Sequence, residues 1–305
     1  MLKYFLKRIV SSVITIFMII TITFFLMKAI PGNPFADEKM PNPEIRAAMM
    51  EKYGLNKPVI EQYFVYLGNF IRGDFGVSYT RAGITVNKVI ADGFPSSLTI
   101  GLYASLIVVF AGIGFGVMCA LNQNKFIDRF FMVLSTLGAT IPSFVLATGF
   151  LFIFSKTLGW VPSFGVDTAT GYIGPIVVIG AFSLSFITRL TRTSLLEVQQ
   201  QDYIRTARSK GISEFKVTYK HALRNALLPV ITYVGPMVAS IVTGSFVIEK
   251  VFGIPGVGSL FTNSIINRDY PLIMGITVFF AILLIISVLI VDFIYVLVDP
   301  RIKLD

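Results

Sequence analysis

Charge is scarce in this chain. Only 14% of its 305 residues are Asp, Glu, Lys or Arg, against about 25% in an ordinary soluble domain. With 54% hydrophobic residues and a mean hydropathy of +0.76, the composition excludes a disordered chain and argues against a water-soluble globule. Thiols and imidazoles are scarcer still, at one Cys and one His. A disulfide within the chain needs a second thiol, and a structural zinc site needs several Cys or His ligands, so neither is expected, nor any other bound metal. Cys119 lies in an apolar run and reads as a small packing residue.

A phosphate-binding loop of the form G-x-x-x-x-G-K-[ST] is also missing, so energy from ATP would have to enter through a partner. No Asp, Glu, Lys or Arg occurs in six windows, 9–27, 93–124, 130–155, 168–188, 225–248 and 270–291. Each comes near or exceeds the ~20 apolar residues that cross a bilayer. A proton-coupled carrier would place ionisable groups inside such spans. An intramembrane hydrolase would need paired aspartates, or a serine with a histidine beside it, and His221 lies outside every window. A further uncharged stretch, 251–267, contains Gly253, Pro255, Gly256, Gly258, Asn263 and Asn267 and reads as loop or re-entrant structure.

Lys3, Lys7 and Arg8 precede the first window as in a signal peptide. The apolar run is too long for one and no small-x-small cleavage site follows, so it reads as a retained first helix. Orientation follows from the basic residues. With the N-terminus inside, the inner segments carry Lys3, Lys7, Arg8, Lys125, Arg129, Arg189, Arg192, Arg205, Arg208, Lys210, Lys216, Lys220, Arg224, Arg301 and Lys303, and the two short outer loops carry Lys156, Lys250 and Arg268, which is 15 against 3. Both termini are therefore expected in the cytoplasm. Gly112, Gly114 and Gly116, Pro142 and Gly149, and Gly235, Pro236 and Gly244 lie within the windows and read as sites of close helix contact or kinking.

Two long polar segments remain. Residues 31–92 balance seven basic against seven acidic side chains and read as a small extracytoplasmic insertion. Asn42 can cap a helix that begins at Pro43 and stops at Gly54. Pro58 can open another that ends at Gly73, with Val59, Ile60, Tyr63, Phe64, Leu67 and Ile71 on its apolar face. The segment 189–228 has eight basic and three acidic residues. A helix over Gln199–Lys210, a break at Gly211 and a second helix capped by Ser213 and running through Phe215 would form a projecting elbow.

The chain reads DYIRTARSKG over 202–211 and HALRNALLP over 221–229. This resembles the "EAA" loop of ABC importer permeases, in the form found in the peptide, opine and nickel uptake group. Pro31–Phe35, Tyr53–Pro58, Gly73–Ser78, Glu249–Gly258 and Arg268–Pro271 also resemble stretches of that group. Arg205-Thr206-Ala207 stands where the general family has Glu-Ala-Ala, and Gly211 to Pro229 is longer than the general spacing; both departures fit the peptide branch.

The resemblance implies an all-α membrane protein with six transmembrane helices: a first helix within 1–30, an extracytoplasmic insertion at 31–92, and a five-helix permease core at 93–305 with a coupling loop at about 189–228. It further implies the first-type permease subunit of an oligopeptide or dipeptide importer in a prokaryotic cytoplasmic membrane. The expected partners are a second permease, one or two ATPase subunits, an external peptide-binding protein, peptide substrate and membrane lipid, with no nucleic acid. No cofactor is expected on this chain, and ATP and Mg belong to the partner subunits. Asp202, Arg205, Thr206, Ala207, Gly211, Ser213, Glu214 and Phe215 are the candidates for ATPase coupling. Arg268, Asp269, Tyr270 and Pro271 are candidates for an external mouth or gate; Asp269 reads as a cap for the helix that Pro271 opens, which makes Asp269→Asn a mild change, or as a partner of Arg268 or of a residue of the external insertion that holds the gate shut, in which case Asp269→Asn raises basal ATP hydrolysis. A nickel permease of the same group, and a membrane sensor that does not transport, are the alternatives.

Overall fold

Backbone groups in hydrocarbon find no water, so an apolar chain must satisfy them within its own segments. The computed structural model describes residues 2–30, 43–81 and 83–298, which are predominantly helical; the β pairing among them is an isolated bridge between Val77 and Thr85. In chain order the helices are α1 (Leu2–Ala29), α2 (Pro43–Lys52), α3 (Val59–Ile71), α4 (Val86–Leu121), α5 (Phe126–Thr140), α6 (Ser143–Phe150, continued as π-helix over Leu151–Thr157), α7 (Ile173–Gln199), α8 (Asp202–Ser209), α9 (Glu214–Lys216), α10 (Leu223–Ala226), α11 (Leu228–Val242), α12 (Phe246–Val251), α13 (Val257–Asn267) and α14 (Tyr270–Val298). Asn42, expected to cap α2, lies outside the described residues.

Among the described residues, five segments are long and apolar enough to cross a membrane: Leu6–Ala29, Val86–Leu121, Ala169–Gln199, Leu228–Val251 and Tyr270–Ile290. The expected third span at 130–155 is instead a bent pair, α5 and α6 meeting at 109°. Pro142 is the cause. Its ring crowds the preceding residue out of the helical region, and Ile141 accordingly sits at φ −76°, ψ 126°. The stretch 251–267, expected as loop or re-entrant structure, is mostly the 11-residue helix α13. Gly253 and Gly256 fall before its start, where Gly256 takes the N-cap position, so the glycines punctuate the helix rather than interrupt it. At 1.5 Å per residue it is far too short to cross the membrane.

The described residues form two compact units, one drawn from Met1–Pro95 and Gly256–Ile285, the other from Ser96–Pro255 and Ile286–Ile302. In the first, α3 docks on α1 through aromatic rings. Tyr63 lies 5.4 Å from both Phe24 and Phe25 and shares a 2.9 Å hydrogen bond with Thr21, while Phe24 stacks on Tyr66 at 5.7 Å. The apolar face of α3 is only partly covered. Tyr63 is covered, yet Val59, Ile60, Phe64 and Ile71 are 44–77% exposed; Tyr63 and Tyr66 both find ring contacts on α1, and Tyr63 a hydroxyl partner as well.

In the second unit α7 is the axis against which α4 and α5 pack. A β-carbon at Gly116 would lie 2.5 Å from Thr191 Cβ and 2.7 Å from the Thr188 carbonyl oxygen; one at Gly112 would meet Ile187 at 2.8 Å, and one at Gly138 would meet Ser185 Oγ at 2.5 Å. Small residues replace hydrophobic driving force where lipid is as apolar as the helices. Gly114, also expected at a close contact, has nothing within 4 Å of where its β-carbon would be, since only positions i and i+4 share a helical face.

Gly116→Val should therefore be destabilising by roughly 1–3 kcal/mol, as overpacking of a tight contact is, and lower both the abundance of the protein and its melting midpoint in detergent. Gly114→Val, on the open face of the same helix, should leave both near wild type. Equal midpoints for the two variants would refute the α4–α7 contact.

Candidate functional site

The expected elbow is present at 189–228 with altered boundaries. α7 ends at Gln199 and α8 starts at Asp202, so Gln200 and Gln201 are a turn rather than the first part of one helix. Gly211 takes φ +74°, the left-handed region that a side chain rarely adopts. Ser213 occupies the N-cap position of α9 at φ −59°, ψ 143° without a capping hydrogen bond from its side chain. α9 runs on through a π-helical stretch, Val217–Ala222.

One side of the elbow is anchored. Ile204, Ala207, Val217, Ala222 and Ala226 are buried together with Val117 and Ala120 of α4 and Leu195 of α7. Ala207, a coupling candidate, thus faces the core. Asp202, Arg205, Thr206, Gly211, Ser213, Glu214 and Phe215 are exposed. Arg208 donates to both carboxylate oxygens of Glu214, at 2.9 and 3.3 Å, linking the two helices across Gly211. Phe215 is 71% exposed and stacks on Tyr219 with ring centroids 4.6 Å apart. The solvent-facing aromatic pair thus stands beside exposed arginines on a buried aliphatic base.

The second candidate lies in the other unit. Arg268 ends α13 in a left-handed conformation, φ 56°, and Asp269 is fully buried. Its Oδ1 accepts from the Leu272 amide at 3.4 Å, which makes it the expected cap of α14, and from the Tyr79 amide at 3.0 Å. Its Oδ2 accepts from the Ser78 hydroxyl, from the Thr80 hydroxyl at 2.8 Å and from the Thr80 amide at 3.4 Å. The carboxylate therefore ties the insertion to the head of α14. Tyr79 is pushed above its ordinary phenol range by burial first, then by Asp269, Tyr53 and Tyr270, and remains a neutral hydroxyl. Arg268 is exposed, while Tyr270 and Pro271 are buried in the first turn of α14.

Three buried acids carry structure, and of these only Asp269 was a candidate from the sequence. Asp269 was legible as a cap, but its partners lie about 190 positions away in the chain. Asp128, 3% exposed, receives Arg192 Nε at 2.7 Å and Nη2 at 2.8 Å, along with the Asn124 amide at 2.8 Å, and so joins α5 to α7. Glu249, 2% exposed, accepts from Ser97 at 2.8 Å and fills the space that a side chain at Gly244, φ +81°, would need. The available signal was an acid at or near the edge of a charge-free run, Asp128 just before 130–155, Glu249 after 225–248 and Asp269 before 270–291, where a buried charge is retained only if it is paired or hydrogen-bonded.

The geometry revises the expected effect of Asp269→Asn. An amide caps well but brings a donor to a carboxylate surrounded by donors, and a mismatched buried group costs about 1–3 kcal/mol. Asp269→Asn should make the insertion several-fold more sensitive to protease added from its own side of the membrane. Wild-type resistance would show that the cap alone matters.

Residues 112–304 match the family described as "Binding-protein-dependent transport system inner membrane component", and residues 1–101 match its N-terminal counterpart. The chain is 46% identical to the dipeptide transport system permease protein DppB of Bacillus subtilis over 100% of this chain and 99% of that one. It is 44% identical to the oligopeptide transport system permease protein OppB of Haemophilus influenzae over 99% and 100%. Among solved structures, an inward facing conformation of the MetNI methionine ABC transporter aligns with TM-score 0.57 at 17% identity, covering 69% of this chain and 96% of that one, a likeness of fold. The chain belongs to the binding-protein-dependent transport system inner membrane components, the permease subunits of ABC importers.

Proposed function

We propose that this chain is the first-type permease subunit of a peptide importer, forming one half of a pathway across a prokaryotic cytoplasmic membrane. The observation that carries this is full-length identity of 46% and 44% to a dipeptide and an oligopeptide permease. In this reading the bent pair α5–α6 counts as one of six spans, both termini and the 189–228 elbow are cytoplasmic, and residues 31–92 are extracytoplasmic. A second permease completes the path, one or two ATPase subunits with ATP and Mg dock on the elbow, and an external binding protein delivers peptide. Asp202, Arg205, Thr206, Ser213, Glu214 and Phe215 form the docking surface, Gly211 its bend and Ala207 its anchor. Coupling requires that nucleotide bind more tightly to one orientation of the spans than to the other. Arg268 to Pro271 shape the external mouth, with Asp269 holding the insertion in place.

The complex reconstituted with its binding protein should take up tripeptide on ATP addition. Gly211→Pro forces a negative φ where +74° is used; it should abolish uptake at normal membrane abundance. Normal uptake by that variant would remove the elbow from coupling. Nickel uptake without peptide uptake would select the alternative substrate, and neither would indicate a sensor.

Topology has a separate check. In a Cys119→Ala background, cysteines at Ser78 and Asn263 should react with an impermeant thiol reagent added to intact cells, and one at Ser213 should not. Labelling of position 213 from outside would invert the orientation.

A further inference from the structure

α7 carries two arginines one turn apart that are held in different ways. Arg192 gives Nε and Nη2 to the Asp128 carboxylate. Arg189 donates instead from Nη2 to the Thr136 hydroxyl of α5 at 2.6 Å, and that hydroxyl donates onward to the Met132 carbonyl. A neutral acceptor positions the guanidinium without cancelling its charge. Among the described residues no carboxylate forms an ion pair with Arg189. The acids of α5 and α7 are Asp128, engaged by Arg192, and Glu197, eight residues and so about 12 Å further along α7.

Arg189 also reaches the wrong way to snorkel. The polar edge of these two helices is marked by Asp128 and Arg129, just outside the charge-free run 130–155, and by the elbow that follows α7. Side chains on a helix lean towards its N-terminus, which for α7 is away from that edge. Thr136 accordingly stands eight residues, about 12 Å, beyond Asp128 along α5. The guanidinium therefore lies beside the apolar part of the span, where an arginine is costly against acyl chains and faces a water-filled cavity or a charged partner instead. Its Nε is covered and has no hydrogen-bond partner among the described residues, which leaves the Nη end, bonded to the exposed Thr136, to meet an anion. The surrounding face is open. Phe182 and Phe186, on the same stripe of α7, are 58% and 41% exposed, and Phe186 stacks on Tyr233 of α11 with ring centroids 4.2 Å apart.

We propose that this face of α5 and α7 lines the water-filled path and that Arg189 is a station in it for the C-terminal carboxylate of the passing peptide. The proposal rests on the peptide-import reading and adds a charge-selecting residue to it. The terminal carboxylate is the anionic group that linear peptides share whatever their side chains, and a guanidinium takes it in a charge-assisted pair. The same charge opposes a divalent metal cation, so the site separates peptide from nickel as cargo.

The test uses the complex reconstituted in proteoliposomes, in a Cys119→Ala background with Thr140→Cys, an exposed position one turn from Thr136. Two water-soluble thiosulfonate reagents, one bearing a sulfonate and one a quaternary ammonium, report whether water reaches this face and which charge it favours. Relative to their rates with a free thiol, the anionic reagent should react several-fold faster than the cationic one. Trialanine should slow the modification and its C-terminal amide should not. Arg189→Met should lose the preference and the protection, and Arg189→Lys should keep both. In uptake assays the ratio of trialanine to trialanine amide should fall roughly tenfold in Arg189→Met, the change expected for losing a charge-assisted hydrogen bond, and stay near wild type in Arg189→Lys. The binding protein's own preference is common to all three and cancels, whereas a merely structural arginine would lower both peptides equally. Arg189→Gln, uncharged but still a donor, replaces Arg189→Met if the latter does not assemble. Absence of modification at position 140 would overturn the site whatever the uptake. Wild-type uptake with an acid-to-amide ratio unchanged by loss of the charge would overturn it and leave the import reading standing. Charge-dependent modification that trialanine prevents, without any uptake, would support the site and strike the import reading. Loss of the second permease from both neutral variants, with its retention in Arg189→Lys, would assign Arg189 to an ion pair between permeases and overturn the proposal.

Discussion

Close approach of helices to α7 is the constraint on which the second unit depends. In lipid, the burial of one apolar side chain against another gains little over its burial against acyl chains, so helix association relies on contact distance and interhelical polar bonds. Gly112, Gly116 and Gly138 bring α4 and α5 against α7 at separations that leave no room for a β-carbon, and the Asp128–Arg192 pair fastens the same α5–α7 interface. The elbow extends this arrangement. Its buried base includes Leu195 of α7 and Val117 of α4, so a force on the exposed face of α8 and α9 has a packed route into both helices.

That route bears on how an ATPase could act on the spans. A flexible loop would absorb a displacement, whereas an element with a native-like aliphatic core resists compression and moves with its base. Gly211 is the weak point in this scheme, and it is bridged by Arg208 and Glu214. Both side chains are substantially exposed, so the pair adds little to stability; its geometric role is to limit the angle between α8 and α9. In the proposed importer, the docking face thereby keeps one shape while the base beneath it shifts.

Most of the helical plan was legible because lipid imposes a simple code: long runs without charge become helices, and glycine or proline marks their ends. Five of the six charge-free windows overlap the segments that can span. The misreadings occurred where one residue type serves two purposes. Pro142 was legible as a kink site but not as a 109° bend, because the angle depends on what α6 packs against. The glycines of 251–267 suggested loop or re-entrant structure; Gly253 and Gly256 precede a short helix, with Gly258 inside it, whose Val257 is fully buried among Val86, Val89 and Ile90. α3 sets Tyr63 and Tyr66 against the Phe24 ring of α1 and leaves much of its aliphatic row exposed.

The candidate sites were legible as motifs and illegible as geometry, and the acids show why. Hydropathy treats Asp128, Glu249 and Asp269 as interruptions that end a span, and each does stand at such an end. Their partners, Arg192, Ser97 and Ser78 to Thr80, are separated from them by 64, 152 and about 190 positions, distances at which no local pattern operates. A buried carboxylate without partners would shift to its neutral form or leave the interior. Each of these acids instead joins segments remote in sequence: α5 to α7, α12 to α4, and the insertion to the head of α14. The apolar runs thus specify which segments are helices, and the rare buried acids specify which of them are fastened together.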